Sequence, residues 1–176
     1  MRLLLRANSH RPVWADDALV GVEIAASPDT PTRPERWAWH IRLLDDRAPL
    51  DVVPNDRSSD GAQPPSNEAR TVKTQVALSP GVRGTLEVEV DPLAVDARTE
   101  VFNGADVVLD RPEEQLLAVV ASSGDVVVED RHRLSAGDAM VLTGDDPLSV
   151  TVSTVHGAAV VIRLNAPNGQ SVSWVP

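Results

Sequence analysis

Two runs in this chain of 176 residues are apolar at every position: Leu116-Leu117-Ala118-Val119-Val120-Ala121 and Ala158-Ala159-Val160-Val161-Ile162. Both fall far short of the ~20 apolar residues that a helix needs to span a bilayer. Neighbouring side chains on a strand point to opposite faces, so a strand without polar residues must be covered on both sides. The chain therefore needs layered sheets.

Other segments are short and β-prone, punctuated by Gly, Pro, Asp and Asn, and helical periodicity is scarce. Strands are expected near Leu3–Arg6, Val20–Ala26, Trp37–Leu44, Val72–Leu78, Thr85–Val90, Glu100–Phe102, Asp106–Leu109, Gln115–Ala121, Asp125–Glu129, Ala139–Leu142, Leu148–Ser153 and Ala158–Leu164. In Trp37–Leu43 the alternation puts Trp37, Trp39, Ile41 and Leu43 on one face and His40 and Arg42 on the other. In Thr85–Val90 it sends Leu86, Val88 and Val90 inward and Glu87 and Glu89 to water. Ser122-Ser123-Gly124-Asp125 reads as a hairpin turn, and His156, beside Gly157, as a turn between strands. In Leu134-Ser135-Ala136-Gly137-Asp138-Ala139, Gly137 supplies backbone freedom and Asp138 can cap a turn with its carboxylate. Asp145-Asp146-Pro147 also reads as a turn, with proline fixing φ ahead of the next strand. The segment at 45–70, with Pro49, Pro54, Pro64 and Pro65, reads as a long loop, either a disordered insertion or a lid or partner-binding loop.

With four tryptophans and one phenylalanine, the core must rest on Val, Leu and Ala. The formal charge of −10 repels phosphate backbones and anionic lipid, so neither nucleic acid nor membrane is an expected partner. Absence of cysteine excludes disulfides and thiolate chemistry. The apolar run Leu3–Leu5 is too short for a secretory core, and a cytoplasmic location is expected. His10, His40, His132 and His156 are scattered, without the spacing of a chelate, so no metal is expected. No phosphate-binding glycine loop or nucleophile elbow occurs, and no cofactor is expected. The carboxylate pairs Asp16-Asp17, Asp45-Asp46, Glu113-Glu114 and Asp145-Asp146 would point to opposite strand faces, which does not make an acid/base site.

Leu4-Leu5-Arg6-Ala7, Arg11-Pro12-Val13-Trp14, Val20-Gly21-Val22-Glu23-Ile24-Ala25-Ala26-Ser27-Pro28, and Trp39 with Ile41-Arg42-Leu43 together resemble the opening of the HutD/Ves family of cupin-like proteins. That family begins with a strand, a Trp-Lys-Asn-Gly-Gly-Gly segment, a Glu-Ile-Ala strand and an Asp-Trp-Arg strand. The match runs without a gap from Trp14 to Ala25. Asn103-Gly104-Ala105-Asp106 and Leu134–Ala139 fall where the family has Gly-Asp turns, and 45–77 lies outside the resemblance. The resemblance implies an all-β, cupin-like double-stranded β-helix built as two fused barrel or sandwich halves, bicupin-like. Members of that family are associated with histidine utilisation and with sensing of a formylated or carboxylated metabolite; the fold is carried over to this chain and the ligand is not.

The departure from the family is chemical. Ala15-Asp16-Asp17-Ala18-Leu19 stands where the family has lysine, asparagine and glycines. Two aspartates repel an anion, and Leu19 crowds backbone that glycine left open.

The expectation is thus one unit, 1–176, with halves 1–110 and 111–176. It would act as a non-catalytic small-molecule-binding or regulatory protein with a pocket drawn from Trp14, Asp16, Glu23, Trp39, His40 and Arg42. The alternatives are a protein-interaction or scaffolding subunit with a filled barrel, and a metal-independent enzyme using Glu23, His40 or an aspartate. Expected partners are a small polar metabolite or a protein, including a second copy as a homodimer.

Overall fold

The computed structural model describes residues 3–15, 18–30, 33–45, 70–79, 82–172 and 174. Asp16, Asp17 and the 46–69 part of the expected loop lie outside the described residues. The described chain is β throughout, apart from one 3-10 turn at Ala7–Ser9. Its strands are β1 (Leu3–Leu5), β2 (Arg11–Ala15), β3 (Ala18–Thr30), β4 (Arg33–Asp45), β5 (Arg70–Ser79), β6 (Val82–Val90), β7 (Asp96–Asn103), β8 (Asp106–Asp110), β9 (Leu116–Val128), β10 (His132–Ser135), β11 (Ala139–Leu142) and β12 (Ser149–Asn165). They form a five-stranded sheet, β2-β3-β4-β6-β5, and a seven-stranded sheet, β1-β11-β9-β12-β7, with β10 beside β9 and β8 beside β12.

The two wholly apolar runs explain the layering. In β9, Leu116, Ala118 and Val120 enter a core shared with Trp39, Ile41, Leu86 and Val88 of the five-stranded sheet. Leu117, Val119 and Ala121 enter a second core on the opposite face. In β12, Val160 and Ile162 join the first core, while Ala159 and Val161 join the second. Full burial of such side chains contributes roughly 1.5–3 kcal/mol each, so both faces must be covered. The five-stranded sheet covers one. The seven-stranded sheet folds back to cover the other, bringing Val126, Val128, Leu134, Val150 and Val152 over it.

The fold-back corrects the expected hairpin at Ser122–Asp125. Those residues lie inside β9, which runs unbroken to Val128 and joins the two strands read separately there. His156 likewise lies inside β12, opposite Asp125, and is not a turn residue. Register shifts flank the facing pair Gly124 and Gly157, so each long strand is bulged near the same level. Such bulges bend a strand and increase its twist. The neighbouring β7 and β8 follow the same bend: Gly104 donates its N–H to the Thr154 carbonyl, and Thr154 donates its hydroxyl to the Ala105 carbonyl. β2 and β10, which the sequence reading missed, are short, at five and four residues.

The Gly-Asp turn behaves as its residues suggest. Gly137 has φ +87°. The Asp138 carboxylate accepts the Ser135 N–H at 3.1 Å, while the Asp138 N–H returns to the Ser135 carbonyl. The same carboxylate accepts the Ala7 N–H at 2.8 Å and the Arg6 guanidinium at 2.6 Å, and His10 Nε2 lies 2.7 Å from the Gly137 carbonyl. Burial works to raise the Asp138 pKa, but the N–H bonds from Ala7 and Ser135 and the contact with Arg6 outweigh it and hold the carboxyl below its usual value. The chain start is thereby fastened beside β11, to which β1 is paired. Thr143–Asp146 repeats the turn, with the Thr143 N–H donating to the Asp146 carboxylate at 2.9 Å.

Candidate functional site

Trp39, Ile41 and Leu43 of β4 and Leu86, Val88 and Val90 of β6 point into the first core. Alternation therefore puts His40, Arg42, Glu87 and Glu89 on the other face of the five-stranded sheet. The register aligns a row of opposite signs across all five strands. Arg11 lies opposite Glu23, Glu23 opposite Arg42, Arg42 opposite Glu87, and Glu87 opposite Lys73. His40 stands in the next row, opposite Glu89.

The contacts follow the register. Lys73 Nζ is 2.7 Å from Glu87, and the Arg42 guanidinium is 3.2 Å from Glu87 and 2.8 Å from Glu89. Arg11 approaches Glu23 at 3.9 Å. The inner groups are sheltered, with side-chain exposures running from 8% at Glu87 to 25% at Arg42. This corrects the expectation that Glu87 and Glu89 face open water. Alternation marks a position as off the core face but does not show that long side chains on neighbouring strands, such as Arg42, cover it.

His40 Nε2 lies 3.5 Å from Glu23, a contact that would favour the imidazolium. Burial, reinforced by the Arg42 charge, outweighs it and lowers the pKa to about 4, so His40 is neutral at pH 7 and that contact is not an ion pair there. Burial raises the Glu89 carboxyl above its usual value, with Arg42 opposing.

These shifts give a pH dependence. The unfolded chain protonates His40 below about 6.5 while the folded chain resists until about 4. The unfolded state thus binds more protons in that window, and stability falls as the pH is lowered through it. The difference of 6.5 − 4 in pKa, at 1.36 kcal/mol per unit, corresponds to about 3 kcal/mol. Glu89 acts in the opposite sense, since a raised carboxyl pKa favours the folded state at acid pH. Urea unfolding at a series of pH values from 4 to 7 is expected to show a slope that His40→Gln largely removes. An equal slope in both proteins would show that His40 is not its source.

Of the residues singled out from the sequence, the structure brings together Glu23, His40 and Arg42. Trp39 lies on the core face and is fully buried. Trp14 belongs to β2, opposite Leu19. Asp16 is outside the described residues. Glu87, Glu89 and Lys73 were missed, although pairing the alternating segments at 37–43 and 85–90 would have put both glutamates beside His40 and Arg42. Among the described residues, no three His, Asp or Glu side chains converge as metal ligands. A cleft of about 220 Å³ lies elsewhere, between Trp39, Leu93, Val95, Asn168 and Gln170. It has no charged side chain in its lining, so the charged row is the better candidate site. No helix among the described residues is long and apolar enough to cross a membrane.

No protein-family model matches the chain. No curated protein matches it either. Solved structures do. HutD from Pseudomonas fluorescens SBW25, described in a formate condition, superposes with a TM-score of 0.56 at 12% identity, covering 94% of this chain and 99% of its own. A conserved protein of unknown function from Pseudomonas aeruginosa PAO1 gives 0.56 at 12%, covering 94% of this chain and 98% of its own. The two-sheet, all-β architecture of this chain is therefore the cupin-like fold of HutD.

Proposed function

We propose that this protein is a non-catalytic binding or regulatory protein that takes a small polar metabolite bearing both signs of charge on the outer face of the five-stranded sheet. The observation that carries the reading is the row of alternating charge Arg11, Glu23, Arg42, Glu87 and Lys73, whose inner members Glu23, Arg42 and Glu87 are sheltered while Arg11 and Lys73 at its ends stand open to solvent. Sheltered ion pairs lose much of their Coulomb gain to desolvation, and well-packed apolar residues of similar volume often serve stability as well or better. The seven-stranded sheet fills its second face with Leu117, Val119, Met140 and Val161. Keeping charge on the corresponding surface of the other sheet is better explained by a ligand than by stability. A ligand carrying an amine and a carboxylate could exchange with existing partners along the row without leaving an unpaired charge.

A thermal-shift screen of amino acids, small amines and small carboxylates tests this. A zwitterionic hit at a hundredfold excess over its Kd stabilises by about 2.7 kcal/mol, or roughly 5–10 °C in a chain of this size. Arg42→Gln is expected to abolish the shift. Formate, the anion named for the similar HutD structure, is expected to give none, because Ala15–Leu19 lacks the lysine and glycines of the family segment. Absence of any zwitterionic hit, or a shift that survives Arg42→Gln, would count against the proposal. A scaffolding role is the second reading, and the free edge of β7 favours it.

A further inference from the structure

Sheet edges are templates for pairing with another chain, and proteins usually blunt them with short strands, prolines or bulges. Two edges here are blunted in this way: β1 has three residues, and β2 carries Pro12 and a register shift. β5 keeps an unbroken register with β6 from Arg70 to Ala77, and its Thr74 hydroxyl lies 2.9 Å from that of Thr99 on β7. β7 is also unblunted. It runs for eight residues without proline, its register with β12 is unbroken from Asp96 to Asn103, and among the described residues it has no partner strand on its other side.

The geometry points to the free edge of β7 as a homodimer interface, in which the β7 strands of two copies pair antiparallel about a two-fold axis through Thr99. The sequence Ala97-Arg98-Thr99-Glu100-Val101 is self-complementary about that axis. Arg98 of each copy falls opposite Glu100 of the other, making two cross-strand pairs of opposite charge, and Val101 falls opposite Ala97. Arg98, Glu100 and Val101 are exposed in the single chain, Val101 at 55%. A two-fold axis makes the same patch serve both copies, so the contact closes as a dimer and does not propagate. The charge pattern selects a second copy over a generic strand: any partner needs the order cation, neutral, anion, and the chain itself supplies it.

Sedimentation velocity over a rising concentration series tests the pairing. The native chain is expected to shift towards twice its mass of 18.8 kDa. Arg98→Glu and Glu100→Arg each replace two favourable cross-strand pairs with two repulsive ones, which weakens the dimer roughly tenfold or more. Both positions are exposed, and far-UV circular dichroism checks that the variants stay folded. An equimolar mixture of the two variants restores both opposite-charge pairs and is expected to associate, as is the doubly swapped Arg98→Glu/Glu100→Arg chain. A native chain that stays monomeric throughout would overturn the inference. So would a dimer indifferent to the single swaps, or a mixture that does not associate.

Discussion

Replacing Arg111 by alanine is expected to destabilise the protein by about 3–5 kcal/mol, because several buried carbonyls lose their donor at about 1–3 kcal/mol each. Arg111 follows the end of β8 and is 4% exposed. Its five N–H groups are shared among six carbonyl oxygens: those of Pro112, Glu113 and Gln115 on its own turn, which share the two hydrogens of Nη1, and those of Gly144, Asp146 and Pro147 on the turn before β12. The distances run from 2.7 Å to Asp146 to 3.3 Å to Pro112 and Glu113. Its N–H groups therefore stitch two neighbouring turns into one end of the molecule. Truncation strands those carbonyls without their donor, and unsatisfied buried acceptors cost about 1–3 kcal/mol each unless water reaches them. Lysine keeps the charge but has three donors on one nitrogen against five in a planar fork, so Arg111→Lys is expected to recover only part of the loss. Equilibrium urea unfolding measures both variants. A loss below about 1 kcal/mol for alanine would mean the turns hold without the guanidinium.

The bend in the seven-stranded sheet yields the second large effect. Gly124 and Gly104 both have positive φ, 60° and 65°, yet alanine should behave differently at the two. A Cβ at Gly104 would meet nothing within 4 Å, whereas one at Gly124 would lie 2.2 Å from the His156 carbonyl oxygen and 2.8 Å from the Gly157 Cα. Gly104→Ala should therefore cost only the left-handed backbone penalty of about 1–2 kcal/mol. Gly124→Ala adds a collision with backbone that cannot rotate away, and a total of about 4 kcal/mol or more is expected. Thermal unfolding of the two variants measures the difference. Equal losses would mean that the strands do not approach as closely as described.

How much could be read in advance depended on whether the signal was local. The apolar runs at 116–121 and 158–162 announced strands covered on both faces, because that requirement lies within each strand. The alternation at 37–43 put Trp39 and Ile41 in the core for the same reason. The bulge at Ser122–Asp125 reads locally as a hairpin because both use the same chemistry, small polar residues around a glycine with positive φ. The difference lies in β12, which accompanies β9 past the bend. The candidate site was half legible. Glu23, His40 and Arg42 stood on recognisable strands, but Glu87 and Lys73 joined them through pairing between distant segments. Arg111 gave no warning, since its acceptors are backbone carbonyls, which every residue possesses.

The fastening of β1 beside β11 governs when folding can finish. Ala7 and Asp138, joined by a hydrogen bond, are 131 residues apart in sequence, and β1 finds its ladder partner over a similar span. During synthesis the Leu3–Leu5 segment leaves the ribosome long before Ala139–Leu142 exists, so it must wait without its partner while the intervening sheets assemble. Contacts this distant raise the contact order and slow folding. β1 is synthesised before its partner strand and seated late, and a nascent chain stalled before residue 139 would leave that apolar tripeptide available to chaperones.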